Sequence, residues 1–310
     1  MDLSIIIVNW NSKDLLRQCL GSVFANTSGI AFEIIVIDSA SFDGCEKMLA
    51  DFFPSVRFVQ LHKNAGFADA NNQAVALAKG YHLLFLNPDT ELISPAVNIL
   101  FDRIRNLPYP GILGGRLLNR DRSIQTSSIK AFPTLLNQLI DFDFLKGMYP
   151  RSRIWGMRPL FENVSKPCEV SVISGACMMV CSKVFESVGG FSTDYFMYSE
   201  DVDLCYKAKT SGLRNYYVPE AIVVHYGGGS TAQTKSNTFV SVMMLESRWK
   251  YFVKTRSRSY ASWYRIGIAV VSTVRITVAY LFWSFSRQPR WWSAFEKWHA
   301  RLRWALGLKS

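Results

Sequence analysis

At 310 residues, 49% of them hydrophobic, the chain is long enough for one large α/β domain with an appendage and too apolar for general disorder. Its net charge of +11 is concentrated at one end: residues 248–310 hold 13 Lys or Arg against one acid, Glu296, which gives that segment +12 and leaves residues 1–247 near −1. Six cysteines without a C-x-x-C pair, and only four His, argue against a zinc site or a disulfide framework and favour a reduced cytosolic compartment.

The N-terminus has an acid where a signal peptide has basic residues, and a short apolar strand follows at once. Residues 3–8 form a mostly β-branched run that reads as a buried parallel strand. Asn9-Trp10-Asn11-Ser12 follows, with Ser12 as the expected N-cap of a helix whose inner face is Leu15, Leu16, Cys19, Leu20 and Val23. Residues 32–37 are a second strand ending at Asp38, then come a turn over 41–44 and a helix near 45–53. Residues 56–61, 68–79 and 82–86 read as strand, helix and strand, the last ending at Asn87-Pro88-Asp89. Alternating strands and helices predict a parallel sheet with right-handed crossovers, whose ligands bind at the carboxyl ends of the strands. Further on, 112–118 and 169–180 read as strands, and 119–167 as loops and short helices. A helix over 200–210 and short strands over 214–218 and 222–224 lead to His225 and a glycine loop, Gly227 to Ser230.

Each polar cluster along this path has two readings. Asp38, at a strand end, is either an acceptor for a nucleotide base or ribose, or a turn acid. Asp89 is a candidate carboxylate for a hard divalent cation, although Asn-Pro-Asp is also good turn chemistry. Residues 64–72 place Gly66 before a helix whose N-terminus offers free N–H groups to an anion, or form an ordinary loop and cap. Glu200, Asp201 and Asp203 are either favourable charge at a helix start or a general base with tuned neighbours. His225 is either a satisfied buried histidine or a phosphate or metal contact. Neither G-x-G-x-x-G after the first strand nor a G-x-x-x-x-G-K-[ST] motif is present, which disfavours a Rossmann dehydrogenase or a P-loop enzyme.

In order, Val8-Asn9-Trp10-Asn11, Asp38-Ser39-Ala40-Ser41 with Asp43-Gly44, Asn64-x-Gly66-Phe67-Ala68-x-Ala70-Asn71, Leu86-Asn87-Pro88-Asp89, Ser174-Gly175-Ala176, Gly189-Gly190-Phe191, Glu200-Asp201-Val202-Asp203-Leu204 and His225 with Gly228 and Ser230 resemble family 2 glycosyltransferases. The resemblance covers about residues 3–250 and is nearest to the bacterial rhamnosyltransferase-like branch. It implies a GT-A fold: a Rossmann-like, mostly parallel central sheet flanked by helices. It also implies a nucleotide-sugar site of Asn9, Trp10, Asn11, Asp38, Asn64, Gly66, Phe67, Asn71 and Asn87, with Asp38 on the base and Trp10 packed beside the nucleotide. Gly175 and Ala176 would lie on the acceptor side. Asp89 and His225 would hold a divalent cation, Mg²⁺ or Mn²⁺, and Asp201, with Glu200 beside it, would be the catalytic base. Asn87 stands where the family's metal motif has its first acid, and Ser39 where it has Asn.

The implied reaction is inverting transfer of a sugar, rhamnose among the candidates, from a dTDP-, UDP- or GDP-sugar to a hydroxyl of a polyprenyl-diphosphate-linked glycan in polysaccharide synthesis. The non-enzymatic alternative is an inactive, membrane-bound glycan-binding or scaffolding protein.

Seven of the nine Trp fall after residue 248. Residues 251–310 therefore read as a separate helical membrane-association region after a domain over 1–250. Residues 266–285 are apolar enough to span a bilayer, but the central Arg275 penalises spanning by roughly 2.5–3.5 kcal/mol. Residues 291–306 place Trp291, Phe295, Trp298, Leu302 and Leu306 on one side, the pattern of an interfacial helix on an anionic membrane or of a helix packed on the body. The expected location is the cytoplasmic face of the bacterial inner membrane, peripheral or monotopic. No nucleic-acid partner is expected, because the body offers no matching module.

Overall fold

The computed structural model describes residues 1–140, 143–162, 164–227 and 237–308. Gly228 and Ser230 lie outside the described residues. The chain begins β1 (Leu3–Asn9), α1 (Lys13–Asn26), β2 (Phe32–Asp38), α2 (Cys45–Phe52), β3 (Arg57–Gln60), α3 (Gly66–Val75), β4 (His82–Leu86), β5 (Thr90–Leu92), α4 (Ala96–Asn106) and β6 (Pro110–Leu118). Then come β7 (Ile129–Lys130), α5 (Leu135–Leu139), α6 (Asp143–Met148), β8 (Cys168–Val170), β9 (Val172–Ile173), β10 (Cys177–Cys181), α7 (Ser182–Ser187), α8 (Glu200–Thr210) and β11 (Arg214–His225). Three long helices finish it: α9 (Asn237–Thr255), α10 (Arg258–Ser286) and α11 (Pro289–Ala305).

Two compact units result. The first comprises residues 1–132, 149–196 and 200–230 and is built on a sheet in the order β3-β2-β1-β4-β10-β6-β11-β5, with β8 on β11. The expected parallel pairings join β3, β2, β1 and β4, and β6 joins β11 in parallel. The sheet as a whole is mixed, since β10 lies antiparallel between β4 and β6, and β5 and β8 lie antiparallel on β11. The continuous strand expected over 169–180 is therefore three short ones, because the Ser174-Gly175-Ala176 turn breaks the ladder before β10. Conversely, the two strands expected over 214–224 are one, β11, whose register shifts between Val218 and Ile222. Apolar residues of β1, β2, β4 and β10 pack under α1, α2 and α4. Burying each such side chain contributes about 1.5–3 kcal/mol.

Ser12 does occupy the N-cap position of α1, but its hydroxyl donates to the Trp10 carbonyl. The free N–H of Lys13 is instead satisfied by the Asp43 carboxylate at 3.0 Å, so the loop after β2 caps the helix after β1.

The second unit comprises residues 133–148, 197–199 and 231–310. Here α10 and α11 form an antiparallel hairpin against α9. The aromatic part of the α11 side expected to meet a membrane packs on α10 instead, while Leu306 stays exposed: Trp291 stacks on Phe282 at 4.7 Å, Phe295 lies 6.3 Å from Tyr280, and Arg275 sits 4.5 Å over Trp298. Trp304 donates to Glu246 at 2.8 Å and its carbonyl accepts from Arg265. Among the described residues α10 is the one helix long and apolar enough to cross a membrane.

One buried side chain ties the first unit together. Asn215 accepts from the Ile112 N–H and donates to the carbonyls of Ser171 and Cys205, linking β6, the β8–β9 corner and α8. Asn215→Leu strands all three groups away from water, so urea unfolding should show a loss of roughly 3–5 kcal/mol.

Candidate active site

Three strand ends and one helix start carry the polar residues. At the ends of β1 and β2, Asp38 is fully buried. Its Oδ1 accepts from Asn9 Nδ2 (2.7 Å) and the Ser41 hydroxyl, and its Oδ2 from Gln60 Nε2 (2.7 Å) and the N–H groups of Ser41 and Phe42. Burial alone would raise this carboxyl, but the bonds from Ser41, Gln60 and Asn9 outweigh it and hold it below the ordinary carboxylate range. The loop so clamped contains Ala40 and Phe42 at φ 59° and 50°, a backbone that costs each side-chain-bearing residue about 1–2 kcal/mol. In this structure the oxygens of Asp38 are engaged by the protein, and the residue shapes the loop. Asn11 also has positive φ, 51°, and Trp10 beside it is half-buried.

Asn64 extends this network. Its Oδ1 accepts from Ser39 Oγ (3.2 Å) and from the Gly66 N–H (2.9 Å), while Ser39 Oγ accepts from Ala65 N. Gly66 sits at φ 75°, and a Cβ there would fall 2.3 Å from the Phe196 carbonyl oxygen, so only glycine fits. Phe67 then lies against Gly175, within ordinary contact of where a Cβ would be. Asn71 is buried and donates to the Phe67 carbonyl within α3. Asn72, which the sequence did not single out, clasps the backbone of Phe191 with both ends of its amide.

At the end of β4, Asn87, Asp89 and His225 meet. The antiparallel pairing of β5 with β11 sets Thr90 opposite His225. His225 Nε2 lies 3.2 Å from Asp89 Oδ1 and 3.4 Å from Asn87 Nδ2. Behind the ring, His225 Nδ1 contacts Gln125 Oε1 at 2.8 Å, while Gln125 Nε2 donates to Asn119 Oδ1 and to the His225 carbonyl. With the amide so committed, Nδ1 donates to Gln125 and Nε2 is the ring nitrogen that faces the carboxylate. A ring nitrogen and a carboxylate oxygen at this separation can share a proton or take a cation between them, and adjacent ligands of Mg²⁺ lie about 3 Å apart when each bond is about 2.0–2.1 Å. The carboxylate and amide oxygens here suit Mg²⁺ or Mn²⁺, and the imidazole among them is the softer ligand. Gln125 supplies the outer hydrogen bond that orients metal-binding histidines.

Asp38, Asp43 and Cys45 also lie within 4.8 Å of one another, but they suit a metal poorly. Burial pushes the Cys45 thiol up, and Asp43 already accepts from the N–H groups of Lys13 and Cys45 and from Asn9.

At the start of α8, Asp201 Oδ2 accepts from the Gly175 N–H at 3.3 Å and lies 4.0 Å from Lys130 Nζ. Its Oδ1 accepts from the Val202 N–H at 2.8 Å. The carboxylate keeps 13% of its surface open and sits where the helix dipole favours negative charge. Glu200 is buried beside it. Asp203 points elsewhere, accepting from Ser192 Oγ (2.5 Å) and Tyr195 OH and pairing with Lys207, so it ties down the turn after Gly190. Ala176 is buried, and its carbonyl accepts from Asn87 N at 3.0 Å. Gly175 thus meets the acid on α8, and Ala176 meets the end of β4.

Lys130 and Gln125 had no motif to mark them. Both lie in the irregular stretch after β6, and only the pairing of β7 with β9 and the turn at Gln125 bring them in.

A central α/β sheet flanked by helices, with polar clusters at its strand ends, is a fold of the GT-A type. The model of glycosyl transferase family 2 matches residues 4–189, more than half the chain, and that of glycosyl transferase family group 2 matches 139–308; the chain belongs to glycosyl transferase family 2. Its relatives include the N-acetylglucosaminyl-diphospho-decaprenol L-rhamnosyltransferase of Mycobacterium tuberculosis, 28% identical over 74% of this chain and 78% of the relative. The rhamnosyltransferase WbbL of Escherichia coli is 26% identical over 84% of this chain and 97% of its own length. Among solved structures, the mannosyltransferase PcManGT from Pyrobaculum calidifontis, in complex with GDP-Man and Mn²⁺, superposes with a TM-score of 0.57 at 14% identity, covering 98% of this chain and 86% of that one. GalNAc-T7 with UDP, GalNAc and Mn²⁺ gives 0.56 at 16% identity over 73% and 44%. The last two share the fold.

Because the folded-state carboxyl of Asp38 titrates below its ordinary value of 3.8, its stabilising contribution is fully present above that value and is lost as pH falls through the lower folded value. Asp38→Asn should cost about 2 kcal/mol at neutral pH. In urea titrations across the acid range, the gap from wild type should narrow below pH 3.8.

Proposed function

We propose that this glycosyltransferase is metal-dependent and inverting. It moves a sugar, rhamnose first among the candidates, from a nucleoside diphosphate sugar to a hydroxyl of a polyprenyl-diphosphate-linked glycan, at the cytoplasmic face of a bacterial inner membrane. The observation that carries the chemistry is Asp201: a partly open carboxylate at a helix N-terminus, steadied by Gly175 N–H and Lys130. The acceptor reading is supported by the name of the Mycobacterium tuberculosis relative, whose acceptor is a sugar on decaprenol diphosphate.

The nucleoside lies against the Asp38–Ser41 loop and Trp10, with Asn9, Asn11 and Asn64 holding that loop in shape. The donor diphosphate lies at Asn87, Asp89 and His225, which would hold Mg²⁺ or Mn²⁺. When bound, the cation offsets the negative charge that builds on the departing diphosphate. Asp201 takes the proton from the acceptor hydroxyl as its oxygen attacks the anomeric carbon. The new C–O bond forms as the bond to the diphosphate breaks, and that electron pair leaves with the diphosphate. Displacement from the opposite face inverts the anomeric centre. Gly175 matters because it has no side chain: a Cβ there would sit 3.4 Å from that of Asp201 and against Phe67, narrowing the acceptor side. Gln125 fixes the histidine ring, and Lys130 steadies the base.

General-base catalysis contributes about 10²–10⁴-fold. Asp201→Asn should therefore lower turnover by roughly three orders of magnitude and leave the donor dissociation constant within about twofold, because Asp201 acts on the acceptor side. Turnover in a dTDP-rhamnose transfer assay shows the first effect and calorimetry the second. Turnover near wild type would remove Asp201 as the base.

A further inference from the structure

We infer that the outer face of α10 is a lipid-facing surface that seats this helix flat in one leaflet of an anionic bilayer, and that α10 does not cross it. The inference deepens the membrane part of the proposed function and rests on that reading. Ile266, Val270, Val274, Val278, Leu281 and Phe285 recur every three or four residues and are each 42–87% exposed, so they form one stripe about 28 Å long. The opposite face, Ala261, Tyr264, Ile268, Ser272 and Ala279, is buried. An exposed apolar patch of this length on one helix marks an interaction surface.

The polar groups on the stripe are already satisfied inside the helix. Thr273 Oγ1 donates to the Ala269 carbonyl at 2.9 Å and Thr277 Oγ1 to the Thr273 carbonyl at 3.1 Å. These threonines can turn their methyl groups outward without leaving a hydroxyl in hydrocarbon unpaired, as a lipid-facing helix requires. Trp263, also exposed, begins the stripe and suits the headgroup boundary.

Charge identifies the occupant. Residues 248–310 carry +12, and an apolar stripe in a segment so rich in cations complements the acyl layer and headgroups of an anionic bilayer better than it does a protein face. Charge also decides the orientation. α11 packs along α10 from the Phe282–Trp291 stack to Arg265 over Trp304, so a spanning α10 would draw α11 across with it. α11 carries Arg290, Glu296, Lys297, Arg301 and Arg303. Each charge carried to the bilayer centre lowers insertion by roughly two powers of ten. Arg275 is no longer the obstacle it was in the isolated sequence, because it stacks on Trp298, which also carries Arg301 at 4.4 Å. The obstacle is the partner helix. Lying flat immerses the stripe and leaves α11 near the headgroups.

The test uses the full chain with Cys168 and Cys181, the two cysteines not fully buried, replaced by serine. Nitroxide labels go at Ile266, Val274 and Phe285, one at a time, on vesicles containing phosphatidylglycerol. Equal immersion depths at the three positions are expected. Depth changing by about 1.5 Å per residue along the helix would mean that α10 spans, and unimmersed labels on bound protein would mean that the stripe does not meet lipid. Either result overturns the inference. In a second arm, V270E combined with V274E should weaken binding to these vesicles by about a hundredfold, with an unchanged melting curve. Unchanged binding overturns the lipid-facing assignment, and equal binding to pure phosphatidylcholine vesicles overturns the anionic partner. Sugar transfer to a water-soluble acceptor should be the same in the double variant and the parent. Absence of transfer in both would defeat the functional reading while leaving the lipid result to stand by itself.

Discussion

The short antiparallel ladder between β5 and β11 is the interaction on which the site depends. Three residue pairs bring Asp89 and His225, far apart in sequence, within 3.2 Å. Backbone hydrogen bonds do this work, since Tyr226 N donates to the Asp89 carbonyl and extends the ladder past the histidine. With the two strands paired, the imidazole and the carboxylate face one another, and Gln125 holds His225 Nδ1 so that Nε2 is turned to Asp89. In the proposed function, a cation held by this pair would offset the charge of the donor diphosphate.

The other clusters follow one economy. Several of these polar groups are held by partners outside their own element. Asp43 caps α1, Ser39 accepts from the chain entering α3, Asn72 holds the turn at Phe191, and Gly175 N–H steadies the acid on α8. Loops cross-braced in this way can keep residues such as Ala40 and Phe42 at positive φ, because the strain is distributed over a hydrogen-bonded network. Meanwhile Cys19 and Cys177 are buried beneath the site with thiols pushed up to about 12, so they pack as apolar side chains.

Much of the first unit was legible in the sequence, because buried parallel strands leave near-continuous β-branched runs and β1, β2 and β4 have them. The place of β10 was not legible. Cys177–Cys181 reads as an apolar strand in any direction, and only tertiary pairing decides that it runs antiparallel between β4 and β6. Motif order drew attention to Asp38, Asp89, Asp201 and His225. The turn-acid reading of Asp38 anticipated the bonds from Ser41 and Phe42, but the donor from the neighbouring strand, Gln60, was not legible. In the tail, composition and helical period were readable, but not which helix faces inward. The aromatic side of α11 had the stronger amphipathic pattern, and the aromatic residues of α10 claim it.

The proposed function requires Asp89 and His225 to converge on a cation, at a site distinct from the proposed base Asp201 on α8. Electron paramagnetic resonance of Mn²⁺ titrated into the protein, with a nucleoside diphosphate present, tests this most directly. The expected result is one bound Mn²⁺ per chain, lost in His225→Ala and retained in Asp201→Asn. Undiminished Mn²⁺ binding by His225→Ala would contradict it.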